Sequence, residues 1–288
     1  MHTPHVLALI AALLSAAATI FVRLGLRGSD PYVALFINVV VGTAGLWVAV
    51  PFAADFDHLS VSGVALFAAA GVIGTVAGRL LRFVAIEKVG ASIAAALTNL
   101  NSMFAAILAI LMLGERVTLP ILVGTAVIVL GTSLLSLGRQ RLGFRRSQLV
   151  FPVLSALCFG VVAILRKLGL SQMGPVSGAA INVTTALVAY AAFLLATGQR
   201  AAMACRGPSL GYFVVAGIAE NTAVFINLLA LRTGMVSVVT PLYGTAPIFV
   251  LLLSFLFLRG IEAVSGRIVA GTLLIVLGVY LITALAGR

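Results

Sequence analysis

A carboxylate and two asparagines lie within an otherwise apolar run, GIAENTAVFINLLAL at residues 217–231. Glu220 and Asn227 are seven residues apart and share one face of a helix, whereas Asn221 lies about 100° around it. An ionisable side chain inside a membrane helix is costly and commonly marks a substrate or proton pathway. We expect Glu220 to bind a substrate ammonium group, to carry a proton, or to pair with an arginine.

Two arginines lie in a second apolar run, AAAGVIGTVAGRLLRFVAIEK at residues 68–88. Arg79 and Arg82 are three residues apart and share a helical face. At 1.5 Å per residue, Arg79 lies roughly 10 Å and Glu220 roughly 16 Å from the same predicted membrane side. One interpretation is a shared cavity in which an arginine attracts a substrate carboxylate and Glu220 faces its ammonium group. In the other, Arg79 extends to the lipid headgroups and Glu220 forms a structural pair.

Two further apolar segments carry polar residues at equivalent positions. ALTNLNSMFAA at 96–106 aligns with TPLYGTAPIFV at 240–250, so that Asn99 corresponds to Tyr243. Polar side chains that face lipid are penalised, which favours a position in a cavity wall. The predicted substrate-binding residues are therefore Arg79, Arg82, Asn99, Asn101, Glu220, Asn221, Asn227 and Tyr243.

The second of these segments also contains helix-breaking residues. Pro241 and Pro247 bracket Gly244. A proline inside a helix removes a backbone hydrogen bond and kinks the helix. We predict that Pro241, Gly244 and Pro247 form a hinge, with a static kink as the alternative.

Composition identifies the chain as an integral membrane protein. Of its 288 residues, 62% are hydrophobic and 9% are charged, against about a quarter charged in soluble domains. The mean hydropathy is +1.24. Alternating strand patterns are absent, so the spans are predicted to be α-helices. Ten apolar runs occur, near 4–26, 31–53, 60–84, 90–113, 118–138, 148–169, 174–197, 209–231, 234–258 and 263–286.

The chain contains an internal duplication. RLGL at 23–26 matches KLGL at 167–170 with an offset of 144 residues, and INV recurs with the same offset at Asn38 and Asn182. Because five spans per copy is an odd number, the second copy is expected to be inverted in the membrane. The predicted fold is all-α, with ten transmembrane helices in two inverted five-helix repeats. The predicted repeats are residues 1–138 and 148–288, joined by an Arg-rich linker at 139–147.

The sequence offers no motif for a metal, a cofactor, nucleotide hydrolysis or other enzyme chemistry. The three histidines have no partner at ligand spacing, and no run of like charges indicates a nucleic-acid partner. The net charge of +11 comes from basic residues between apolar runs, of which 13 fall on one predicted side and 5 on the other. The positive-inside rule then places the linker in the cytoplasm and both termini in the periplasm. A monomer in the lipid bilayer is expected, since ten helices can enclose a cavity.

The end of the first copy, ILAILMLGERVTLPILVGTAVIVLG at 107–131, resembles the EamA type of the drug/metabolite transporter superfamily, and most closely the YddG-type amino-acid exporters. The second copy departs from this pattern at Ile261, which stands where a glycine precedes Glu262 in the family pattern. The resemblance implies a bacterial inner-membrane exporter of amino acids, aromatic and other, or of related metabolites. It would work by alternating access through a central cavity. An exporter or uniporter of other solutes or drugs, or a channel-like pore, remains the alternative.

Overall fold

The computed structural model describes residues 3–53, 60–114, 119–137, 145–204, 207–257 and 266–285, and the regular structure in these ranges is helical. Residues 139–144, most of the predicted linker, lie outside them. Seven segments are long and apolar enough to cross a membrane: Thr3–Gly25, Pro31–Val48, Val61–Val89, Ala91–Leu113, Arg146–Leu170, Pro175–Ala196 and Pro208–Thr233. Large apolar side chains such as Leu111 and Val188 are 75% and 65% exposed, as lipid contact requires. The chain is a multi-pass, all-helical membrane protein.

Several of these segments consist of more than one helix. The helices are α1 (Thr3–Gly25), α2 (Pro31–Ala53), α3 (Val61–Ala70), α4 (Arg79–Val89), α5 (Ala91–Thr98), α6 (Asn101–Leu113), α7 (Leu119–Leu137), α8 (Val150–Leu170), α9 (Pro175–Ala196), α10 (Pro208–Thr233), α11 (Val236–Tyr243), α12 (Ala246–Phe257) and α13 (Gly266–Leu285).

A π-helix, Gly71–Gly78, connects α3 to α4 and places the two arginines of α4 directly after it. Its glycines allow close packing against the second half of the chain. A Cβ atom at Gly71 would lie 2.5 Å from the backbone oxygen of Asn182, and one at Gly74 would lie 2.8 Å from Val162. Short π segments within α-helices are frequent at functional sites.

The two halves contain matching helix breaks. The segment Ala91–Leu113 is interrupted at Asn99 and Leu100, and α11 and α12 are separated by Gly244 and Thr245. Residues 100 and 244 differ by the offset of the duplication. The predicted interruption therefore occurs at Gly244; the Pro241 side chain lies outside what the structure describes.

The main helix contacts join one half of the chain to the other. The α1 helix packs against α10, α8 against α3, the π segment and α4, α2 against α9, and α7 against α13. The last pair is reciprocal: a Cβ at Gly131 would meet the backbone oxygen of Gly271 at 2.7 Å, and one at Gly278 would meet that of Gly124 at 2.5 Å. Such close approach of small residues drives helix association in membranes. Equivalent residues of the two halves thus make reciprocal contacts.

The repeated RLGL and KLGL motifs also make equivalent contacts. Arg23 Nη1 donates to the backbone oxygens of Ile86 and the next residue, at 3.1 and 3.2 Å. Its counterpart Lys167 donates through Nζ to the oxygens of Leu231 and Gly234, at 2.9 and 2.7 Å. Each cation therefore satisfies the terminal carbonyl groups of the third spanning segment in its own copy, where the helix dipole is negative.

We predict that Gly71→Ala destabilises the protein, because the added methyl group meets a helix backbone that cannot move aside easily. Overpacking of this kind costs about 1–3 kcal/mol. Gly211→Ala is the matched control, since a Cβ there has nothing within 4 Å. Thermal unfolding in detergent should show a lower midpoint for Gly71→Ala alone. Equal midpoints for the two variants would show that the π segment does not pack tightly.

Candidate functional site

A buried ion pair between Arg82 and Glu220 lies at the centre of the molecule. Arg82 Nη1 is 2.8 Å from Glu220 Oε1, and the side chains are 8% and 4% exposed. Arg82 Nη2 donates to Ser15 Oγ at 3.2 Å and also to Thr19 Oγ1. The Ser15 hydroxyl lies 3.4 Å from Glu220 Oε2 and donates to it. Glu220 thus forms an ion pair with an arginine, one of the three roles expected from the sequence. A substrate-binding or proton-carrying role stays a prediction.

Arg79 is held by amides instead of a carboxylate. Its Nη1 donates to Asn38 Oδ1 and, at 3.4 Å, to Asn221 Oδ1. Asn221 Nδ2 in turn donates to the backbone oxygens of Asn38 and Gly217, at 3.0 and 2.8 Å. Arg79 is only 3% exposed, so the interpretation in which it extends to the lipid headgroups is wrong. Its direct partners are therefore neutral, and the carboxylate that attracts it, Glu220, forms its salt bridge with Arg82.

The paired asparagines Asn38 and Asn182 both hold the third spanning segment in place. Asn38 accepts from Arg79, while Asn182 Oδ1 accepts from Thr75 Oγ1 at 3.0 Å. Asn182 Nδ2 also donates to the backbone oxygen of Phe67 at 3.3 Å. These contacts fit hydrogen bonding between helices, which is the role that polar side chains commonly have between membrane helices.

A central cavity of about 90 Å³ surrounds the ion pair. Its walls come from six of the ten predicted spans, namely one, three, four, six, eight and nine. Among the predicted site residues, those that line it are Arg79, Arg82, Asn99, Asn101, Glu220, Asn227 and Tyr243, with Gly244 and Pro247 of the predicted hinge. Asn221 instead lines the neighbouring cavity. Whether these residues bind substrate stays a prediction.

Several buried polar atoms in this wall have no hydrogen-bond partner among the described residues. They are Thr98 Oγ1, Asn99 Nδ2, Asn227 Oδ1 and Arg79 Nε. Asn99 is 4% exposed and lies at the helix break between α5 and α6. Most buried polar atoms in proteins are hydrogen-bonded, so a cluster of unsatisfied ones indicates a place for water or a ligand. The cluster offers both donors and acceptors.

A side cavity of about 260 Å³ lies next to the central one, between α2, α9 and α10. Most of its lining is apolar, from side chains such as Phe67, Leu46 and Leu228. Arg166 and Val224 line both cavities. The two spaces therefore adjoin at Arg166.

Three residues of the site were missed at the level of sequence. Ser15 and Thr19 are four residues apart and therefore share a face of α1, a signal that small hydroxyl groups make easy to overlook. Arg166 is one of the five basic residues that the orientation count assigns to the less basic side of the membrane. The structure places it and the adjacent Lys167 on different faces of α8, with Lys167 at a helix end and Arg166 in the cavity walls.

A multi-pass helical protein with a polar cavity between two related halves has the architecture of a membrane transporter. The model of the EamA-like transporter family matches the chain twice, over residues 2–137 and 147–284. The chain belongs to this family, whose members are transporters.

Solved structures share this fold. One, described only as the crystal structure of a protein, is similar with a TM-score of 0.72 and 18% sequence identity. The match covers 100% of this chain and 99% of that one. No curated protein matches the chain.

We predict that Arg82→Leu and Glu220→Leu each destabilise the protein by about 3–5 kcal/mol, because each leaves a buried charge without its partner. The double variant should lose less than the sum of the two, since it leaves neither charge behind. Unfolding in detergent measures all four proteins. Thr197→Ala, at the exposed end of α9, is the control. Its loss of stability and that of Arg82→Leu should be additive in the combined variant. Additive losses for the Arg82 and Glu220 variants would contradict a coupled pair.

Proposed function

We propose that the chain is a secondary transporter that exports amino acids, aromatic and other, or related small metabolites. Transport would proceed by alternating access through the central cavity. The proposal rests on one observation above all: the cavity between the two halves is lined by unsatisfied polar atoms and by a guanidinium group without a carboxylate partner. Such groups are expensive to bury unless a ligand or water satisfies them.

Arg79 is the proposed binding group for a substrate carboxylate. Asn38 and Asn221 fix its position without neutralising it, so the positive charge remains available to an anion. Asn99, Asn227 and Thr98 offer amide and hydroxyl groups for the remaining polar atoms of the substrate. The apolar side cavity is large enough in volume to receive a substrate side chain.

The matching helix breaks are the proposed moving parts. Broken helices at corresponding positions of two repeats are typical of transporters whose repeats move against each other. Asn99 and Gly244 lie at these breaks and also line the central cavity, so a change at the break reaches the binding site directly. Pro247, in the first turn of α12, cannot restore the backbone hydrogen bond across the break.

The membrane arrangement in this proposal is ten crossings in two inverted repeats. Arg23 and Lys167 support it, because equivalent contacts then lie on opposite membrane faces. The chain would be a monomer in a bacterial inner membrane, with the linker cytoplasmic, both termini periplasmic, and neither nucleic acid nor a cofactor required. Transport of other solutes or drugs, or passage through a channel-like pore, are the competing outcomes of the tests below.

Purified protein in liposomes loaded with labelled amino acids should release them with saturable kinetics, and unlabelled substrate outside should accelerate release. Saturation and trans-stimulation are expected of an alternating-access transporter and not of a pore. A panel in which no amino acid moves would rule out this substrate class.

Asn99→Ala should raise the KM for transport, because it removes an unsatisfied donor from the cavity wall. Its unfolding midpoint should stay close to that of the wild type, since Nδ2 makes no hydrogen bond to the described residues. Thr197→Ala, far along the chain at an exposed helix end, is the control and should leave KM unchanged. Equal KM values for the two variants would remove Asn99 from the site.

The orientation has its own test. In a background without Cys158 and Cys205, Gln140→Cys should react with an impermeant maleimide only after the inner membrane is opened. Reaction in intact spheroplasts would reverse the proposed topology.

A further inference from the structure

Arg166 is a charged residue of the cavities that the ion-pair network does not use. It lies in the last turns of α8, is half-buried and lines both the central and the side cavity. Within the described ranges it makes no hydrogen bond and no salt bridge. A guanidinium group placed in an apolar membrane segment without a partner is unfavourable. Its position therefore calls for a partner that enters the cavity.

The charges around the central cavity do not balance. Three guanidinium groups and one carboxylate line it, from Arg79, Arg82, Arg166 and Glu220. The carboxylate is taken by Arg82 at 2.8 Å. Arg166 lies close enough to Arg79 to be repelled by its charge, and the Glu220 carboxylate attracts both guanidinium groups although it forms its salt bridge with Arg82. In the part of the chain that the structure describes, Arg79 and Arg166 thus form no salt bridge, and the one carboxylate shared among three guanidinium groups leaves the cavity with a net positive charge.

This imbalance discriminates between classes of substrate. An anionic group between two guanidinium groups is attracted by both and can accept several charge-assisted hydrogen bonds. A substrate ammonium group is repelled by both, and the single carboxylate that would balance it is already paired. In a zwitterion the carboxylate is attracted by the two guanidinium groups and the ammonium group is repelled by them.

The side cavity adds an apolar requirement. Its lining includes Arg166 and Val224, which also line the central cavity, and apolar side chains such as Leu46 and Phe67. A ligand whose anionic group lies at Arg166 can place its apolar group there, removing that group from water. The two cavities together fit an amphipathic molecule with one charged end.

We propose that Arg79 and Arg166 form an anion-binding site, and that the preferred substrate is a small organic acid with an apolar group and no free ammonium group. Such molecules are the 2-oxo acid or N-acylated relatives of apolar amino acids. This inference rests on the proposed transport function, and within it favours the related small metabolites over the amino acids themselves. The reaction that supplies the substrate would then be one that removes or acylates an amino group.

Three aromatic probes test the inference: phenylpyruvate and phenylalanine, which share one carbon skeleton, and phenethylamine, which lacks the carboxyl carbon. Binding is measured as the rise in unfolding midpoint of the purified protein, because a ligand of the native state stabilises it by mass action. Transport is measured as efflux of each labelled probe from liposomes. Phenylpyruvate should bind best, phenylalanine roughly tenfold or more weakly, and phenethylamine not at all. Equal or better binding of the zwitterion or the amine would overturn the inference.

Arg166→Gln should abolish the preference for phenylpyruvate, because one of the two positive charges is lost. Arg232→Gln, the same change at the exposed end of α10, should keep it. Arg166→Lys, which retains the charge without the planar fork, should keep the order of the probes with weaker binding. Its use keeps the test decisive if the glutamine variant does not fold.

The stability of Arg166→Gln separates a ligand-binding residue from a structural one. Without ligand its unfolding midpoint should equal or exceed that of the wild type, because an unpaired charge has been removed. A lower midpoint together with an unchanged probe order would overturn the inference. If the probes bind in the expected order but none is transported, the binding site stands and the transport proposal for these compounds fails.

Discussion

The low polarity of the membrane interior is the constraint on which the rest of the structure depends, and the pair of Arg82 and Glu220 is its most direct expression. Neither charge is stable there alone, because the desolvation free energy of a buried charge is much larger than the free energy gained by packing its side chain. The pair joins α4 of the first half to α10 of the second, and Ser15 of α1 contacts both side chains. Electrostatic necessity therefore fixes three helices around the centre of the cavity.

The remaining polar groups are of two kinds. Some form hydrogen bonds between helices, and others present unsatisfied atoms to the cavity. Asn182 and Asn38 belong to the first kind, since their amides bridge helices. Asn99 and Asn227 belong to the second, because they present buried atoms without partners to the cavity. Close helix packing through glycine contributes to this difference. Where glycines bring helices together, no space remains for water, and where larger side chains separate them, a cavity forms.

Much of this architecture is predictable from the sequence, because apolar length and a constant repeat offset are strong signals. The offset alone relates Asn99 to Tyr243, but the break in the first half is not predicted, because Leu97 and Met103 stand where the second half has Pro241 and Pro247. The direction in which the arginine side chains point around the helix axis is harder to predict. A π-helix directly precedes them and alters the rotation expected for a continuous α-helix. Hence sequence spacing indicates that an arginine faces Glu220 but does not distinguish Arg79 from Arg82.

Local sequence context also misleads where two basic residues are adjacent. Arg166 and Lys167 together look like a membrane-surface pair, yet a rotation of about 100° per residue sends one to a helix end and the other into the cavity. Counts of basic residues used for orientation carry the same weakness, because Arg79 and Arg82 are buried. Neighbouring helices, which a single sequence does not specify, decide where each of these side chains points.

The helices of the two halves are repeated, but the charged residues of the central cavity are not, and this affects how a molecule can bind between the halves. A frame whose halves are related by a two-fold axis would accept a ligand equally well in two opposite orientations. Among the described residues, the charged ones that line the central cavity are Arg79, Arg82, Arg166 and Glu220. Their equivalents at the offset of 144 are Ala223, Ile226, Val22 and Val76. Because each of these charges has an apolar counterpart, the two halves present different surfaces to the cavity, and a charged ligand would meet them in one orientation only.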